Sequence, residues 1–140
     1  MRTIEIEFLE TYKETDSLCN EVFHCERGIS DYIGKMSDLY NEGNAHVEGW
    51  KEELSTLKRL RRLRNKIVHE SGKSECQRKD LQDLKAFKRK LKNETDSLSK
   101  LDKYRGNRVA KRTWIVTFRY LILIIIILII LFICHQNGLF

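Results

Sequence analysis

The 140-residue chain contains no proline and only seven glycines. Those are the two residues that most strongly interrupt helices, so their scarcity predicts a nearly all-helical protein. Four cysteines (Cys19, Cys25, Cys76 and Cys134) form no C-x-x-C pair and have no histidine at zinc-ligand spacing. That pattern gives no grounds for a metal site, and neither a metal nor a cofactor is expected; neutral thiols in a reducing compartment are the default reading. The opening residues MRTIEIEFLE are polar and acidic with no continuous apolar run, so they are not expected to act as a secretory signal.

What is present is charge, and it is unevenly divided. The formal net charge is +6, yet residues 1–57 balance to −8 and residues 58–119 to +14. A basic half of that density attracts polyanions, of which nucleic acid and anionic lipid are the obvious classes.

Apolar spacing divides the chain into helices. Phe8, Tyr12, Cys19 and Val22 predict a first helix over about Ile4–Cys25. Ile29, Tyr32, Ile33, Met36 and Tyr40 predict a second over Ile29–Tyr40, closed by turn chemistry at Asn41-Glu42-Gly43-Asn44. A third begins between His46 and Trp50 and turns Leu54, Leu57, Leu60, Leu63 and Ile67 inward, with Ser71-Gly72 as its stop. Ser74-x-x-Gln77 is a candidate capping box for a fourth, which carries Leu81, Leu84, Phe87, Leu91, Leu98, Leu101 and Tyr104. Asn93-Glu94-Thr95 has the form of a glycosylation sequon but falls inside that helix.

After Gly106-Asn107 the composition changes. Trp114 to Cys134 is almost wholly apolar and, at twenty-one residues, long enough for a hydrocarbon core of about 30 Å. Lys100, Lys103, Arg105, Arg108, Lys111 and Arg112 precede this run, and no Lys or Arg follows it. By the positive-inside rule the N-terminal domain is expected in the cytoplasm, tail-anchored in the bilayer, with Trp114, Arg119, Lys111 and Arg112 at the membrane interface. The expected fold is all-α, an up-down four-helix bundle followed by a single C-terminal transmembrane helix. Its parts are a helical domain (1–105), a basic juxtamembrane linker (106–113), the span (114–134) and a short external tail (135–140).

One stretch carries candidate chemistry. Residues 57–70 read LKRLRRLRNKIVHE and contain Arg64-Asn65-x-x-x-His69. A guanidinium offers a fixed fork of donors for phosphate oxygens. An imidazole can take and give a proton near neutrality. Together they suit cleavage of RNA, where a ribose 2′-oxygen attacks the adjacent phosphate: His69 as general acid or base, Arg64 as charge stabiliser, Asn65 as the residue orienting one of them. Arg61, Arg62, Lys66, Lys88 and Arg89 are candidates for holding the RNA backbone. His24 and His46 are isolated and are read as ordinary packed or exposed histidines.

This R-N-x-x-x-H pattern resembles the HEPN superfamily (higher eukaryotes and prokaryotes nucleotide-binding domains), small helical bundles of which many carry R-x(4–6)-H. The resemblance implies a metal-independent endoribonuclease acting on single-stranded RNA and a homodimer sharing a composite site. It also places such a protein in a defence, toxin or mobile-element setting, with a protein antitoxin or regulator as possible partner. On an ideal helix five residues turn about 500°, so Arg64 and His69 point about 140° apart, and one copy alone does not bring both to one phosphate. The alternative is a non-catalytic, membrane-tethered helical module for dimerisation or adaptor binding.

Overall fold

The computed structural model describes residues 3–69 and 76–136, with the backbone alone described at 112, 115, 116 and 131–136. The expected helix stop at Ser71-Gly72, Ser74 of the candidate capping box, the Glu70–Lys66 contact and the side chains of Arg112 and Cys134 lie outside the described residues, as do residues 137–140.

Among the described residues there are six helices and no strand: α1 (Thr3–Phe23), α2 (Ile29–Asp38), α3 (Tyr40–His46), α4 (Trp50–His69), α5 (Arg78–Lys92) and α6 (Ser97–Gln136). The chain divides into two compact units, residues 1–102 and 103–140.

In the first unit the core is most of the set that the spacing marks, although Val22 is exposed and Tyr40 and Leu63 are only half-buried. Phe8, Tyr12, Cys19, Ile29, Tyr32, Met36, Trp50, Leu57, Leu60, Leu84, Leu91 and Leu101 are all buried. The helices break at two places that the spacing does not mark, one just before the end of the expected second helix and one within the expected fourth. The first cut comes at Leu39, and the expected turn at Asn41–Asn44 is instead helical within α3. Gly43 explains the local geometry, because a Cβ there would stand 2.3 Å from the Trp50 ring. Only glycine lets the α3 backbone lie against that indole. The second cut is the turn at 93–96, where Glu94 takes a left-handed conformation and Asp96 caps α6. At the start of α5 the Gln77 N–H donates to Asp80 Oδ2 at 2.9 Å, one half of a capping box shifted from the expected Ser74–Gln77 position.

The order of ion pairs gives the helix directions. Glu7 and Glu14 of α1 meet Lys85 and Lys88 of α5 in the same chain sense, so α1 and α5 run parallel. Arg59 with Asp80 and Asp83, and Glu53 with Lys90, make α4 and α5 antiparallel. Tyr32 and Glu53, each near the start of its helix, are joined across α2 and α4. These helices therefore start at the same end, and α3 returns the chain between them.

In the second unit, α6 runs without a break through the residues expected as a linker. Tyr104 and Arg108 pair along it, the guanidinium donating to the hydroxyl at 2.6 Å. The expected transmembrane helix is not upheld. Among the described residues no helix is long and apolar enough to cross a membrane. The early part of α6 carries Lys100, Asp102, Lys103, Arg105, Arg108 and Lys111. The membrane-anchored localisation, its orientation, the bilayer as partner and the interface roles given to Trp114, Arg119, Lys111 and Arg112 rested on that span and fall with it. Trp114 stacks on Phe118 with ring centroids 5.6 Å apart, and Arg119 and Lys111 are exposed.

Candidate functional site

All three motif residues lie on α4, which stays helical to His69. Between Glu53 and Glu70 the sequence has no acidic residue, so the cations of that stretch have no acid interspersed among them. Arg59 is held from α5, which supplies Asp80 and Asp83.

Arg64 differs from the solvated cation that spacing alone suggests. It is half-buried on the side of α4 that faces α1, with its guanidinium carbon 5.9 Å from the centre of the Tyr12 ring. Its Nη1 donates to Asn65 Oδ1 at 3.1 Å, so the role expected of Asn65, orienting a partner by hydrogen bonding, has a geometric counterpart. The Tyr12 hydroxyl is held protonated well above the ordinary tyrosine range, first by burial and then by the Asp16 carboxylate, with Arg64 and Arg61 pulling the other way. A cation over a buried, neutral ring is held at its face by the ring quadrupole.

His69 is exposed at the end of the same helix. Because α4 does not unwind before it, the divergence of about 140° expected from helix geometry stands. One copy of the chain therefore presents an arginine seated toward α1 and a histidine turned elsewhere. Val68, between them in sequence, is 50% exposed, an apolar residue on the same side of α4 as Arg61 and Arg64.

The candidate RNA-binding residues do not form one patch. Arg61 is half-buried beside Tyr12, whereas Arg62 is exposed on the outward side. Lys66 is half-buried and lines a cleft between α4 and α5 with Arg59, Leu63, Gln77, Lys79 and Asp80. Lys88 and Arg89 belong to α5. Lys88 pairs with Glu14, whose carboxyl is lowered by that hydrogen bond and charge, while Arg89 is exposed.

Reasoning from sequence missed a buried polar network at the other end of α4. The Tyr32 hydroxyl donates to Asp96 Oδ2 at 2.8 Å, lies 3.1 Å from Glu53 Oε1 and accepts from the Leu98 N–H at 3.3 Å. Glu53 Oε1 accepts from the Ser97 N–H at 3.0 Å, and its Oε2 from Lys90 at 2.8 Å. Asp96 also takes the Ser99 N–H and hydroxyl. Burial, and then the charges of Glu53 and Asp96, hold the Tyr32 hydroxyl protonated far above the ordinary tyrosine range. Periodicity marked Tyr32 only as a core residue, and nothing local links it to residues twenty-one and sixty-four positions away.

Among the described residues no group of three or more His, Cys, Asp and Glu side chains is placed to hold a metal ion. Cys19 and Cys76 are buried, and burial pushes the Cys19 thiol up.

Residues 6–114 match a family described as a family of unknown function, DUF6548. No curated protein and no solved structure matches the chain.

Proposed function

The chain belongs to the DUF6548 family of unknown function, and we propose that it is a metal-independent endoribonuclease acting on single-stranded RNA. In this reading Arg64 stabilises charge on the phosphorane, His69 is the general acid or base, and Asn65 positions Arg64. The observation that carries it is the bond from Arg64 Nη1 to Asn65 Oδ1 beneath the Tyr12 ring, which presets the direction of the guanidinium. An arginine fixed in this way loses little freedom when it meets a phosphate.

Since α4 turns Arg64 and His69 away from each other, the working site is composite. Arg64 of one copy and His69 of a second meet across a two-fold axis. Val68, apolar, exposed and on the Arg64 side of α4, supports an interface along this helix. The product would carry a 2′,3′-cyclic phosphate, and cleavage would continue in EDTA because neither proton transfer nor charge stabilisation here is assigned to a metal.

The test is cleavage of a defined single-stranded RNA by wild type and by His69→Ala. Loss of the cyclic-phosphate product in the variant, with the helical circular dichroism intact, supports the reading; cleavage by His69→Ala at the wild-type rate ends it. The seat of Arg64 on Tyr12 favours a second reading, in which that arginine serves packing alone and the domain is a non-catalytic dimerisation or adaptor module. Dimers without cleavage under any condition would select it.

A further inference from the structure

The side of α4 turned away from Arg64 carries a line of cations, with Lys66 at its edge, in the α4–α5 cleft that Asp80 also lines. At 100° per residue, Lys58, Arg62, Lys66 and His69 fall within about 80° of one another, and Arg64 lies about 160° from the centre of that arc. Lys58, Arg62 and His69 are exposed and Lys66 is half-buried. Among the described residues none of Lys58, Arg62 and Lys66 makes an ion pair, in contrast to Arg59, Lys85, Lys88 and Lys90. No acidic residue interrupts residues 54–69.

From Lys58 to Arg62 and from Arg62 to Lys66 the helix rises about 6 Å each time, and from Lys58 to His69 about 16 Å. The step is close to that between neighbouring phosphates of an extended single strand, and the ridge is one side chain wide. Helix-surface ion pairing does not explain it, because a face built for that would intersperse acids four residues away. Lys79, at the cleft beside Lys66, adds a further cation to one flank.

We infer that this ridge is a binding track for the backbone of single-stranded nucleic acid, with one phosphate each at Lys58, Arg62 and Lys66 and the strand leading to His69. The track rests on the nuclease reading only for what happens at its end; binding along it stands without cleavage. The ridge has no aromatic residue among its four members, so it offers the bases no stacking platform and reads no sequence. Arg64, turned away from the track, contacts the strand only where a second copy brings it across.

The test uses the full chain and a labelled oligothymidylate, which lacks the 2′-hydroxyl and so cannot be cut by the proposed chemistry. Binding is followed by fluorescence anisotropy over a range of salt concentrations. Each single-strand phosphate contact contributes about 0.7 to the slope of log K against log salt, so Lys58→Gln/Arg62→Gln/Lys66→Gln should flatten the slope by about 2. Lys85→Gln/Lys88→Gln/Lys92→Gln removes equal charge from α5 and should flatten it much less. Arg62→Lys alone should keep the slope, which separates lost charge from lost fold. Equal flattening by both triple variants, an unchanged slope in the ridge variant, or tighter binding to the duplex than to the single strand would each overturn the track. Oligothymidylate binding that follows the ridge, together with no cleavage of RNA, would sink the nuclease reading and leave the track standing.

Discussion

The two ends of α4 treat charge in opposite ways. At its start, Glu53 is buried and every oxygen has a partner: the Ser97 N–H and the Tyr32 hydroxyl for one, Lys90 for the other. At its far end, Arg62 and Lys66 make no ion pair among the described residues, and even the seated Arg64 is held by a ring and an amide. Removing a member of the first set leaves buried groups without partners, which is costly. Removing a member of the second set leaves only solvated neighbours. Polar residues at the start of α4 hold the fold, and those at its end are free to meet a ligand.

That contrast is broken most severely at Glu53. Glu53→Ala strands the Ser97 N–H and deprives Lys90 of its partner, and a loss of about 3 kcal/mol is expected by urea denaturation. A loss below about 1 kcal/mol would mean that water or another group satisfies the site.

Alkaline titration sharpens the same comparison. Tyr12 and Tyr32 have hydroxyls raised above the ordinary range in the folded state. Their contribution is therefore complete below the unfolded value near pH 10 and is lost as pH rises beyond it. Stability should fall above about pH 10 by up to about 1.4 kcal/mol per tyrosine per pH unit. Phenolate absorbance from these two should appear only with unfolding, and its appearance while the helical signal persists would contradict their burial.

Gly43→Ala tests packing on the same side of the molecule. A methyl group would press on the Trp50 ring, and a cost of about 2 kcal/mol is expected from thermal unfolding. At the motif the effects on stability shrink. Arg64→Ala should cost about 0.5–1 kcal/mol through the Tyr12 contact, and Arg62→Ala less than about 0.5 kcal/mol.

How much of this could be read from the residues follows the same division. Apolar spacing placed α1 and α4 to within a few residues and marked Trp50, Leu57, Leu84 and Leu91 as core, because burial repeats with the helix period. It did not reveal the cuts at Leu39 and at 93–96. Near them Gly43 lies against Trp50 and Asp96 accepts from Tyr32, contacts that no local pattern encodes. The apolar run after Trp114 predicted a span from composition; the described residues contain no helix long and apolar enough for one. R-N-x-x-x-H was visible at once, and the divergence of its ends followed from helix geometry. The ring beneath Arg64 was not, since Tyr12 lies fifty-two positions earlier and its spacing marked it only as core. Lys58 was passed over because only a helix face, and not the motif, gathers it with Arg62, Lys66 and His69.

The central claim is that Arg64 and His69 act together but from different copies, and mixing two inactive variants tests it directly. Arg64→Ala alone and His69→Ala alone should each lower cleavage by roughly 10² to 10⁴. After subunit exchange in an equal mixture, half of the dimers pair one variant with the other, and each such dimer has one intact composite site. The account predicts recovery of about a quarter of wild-type activity on single-stranded RNA. A mixture that stays as inactive as either variant, under conditions where exchange is verified, would contradict it.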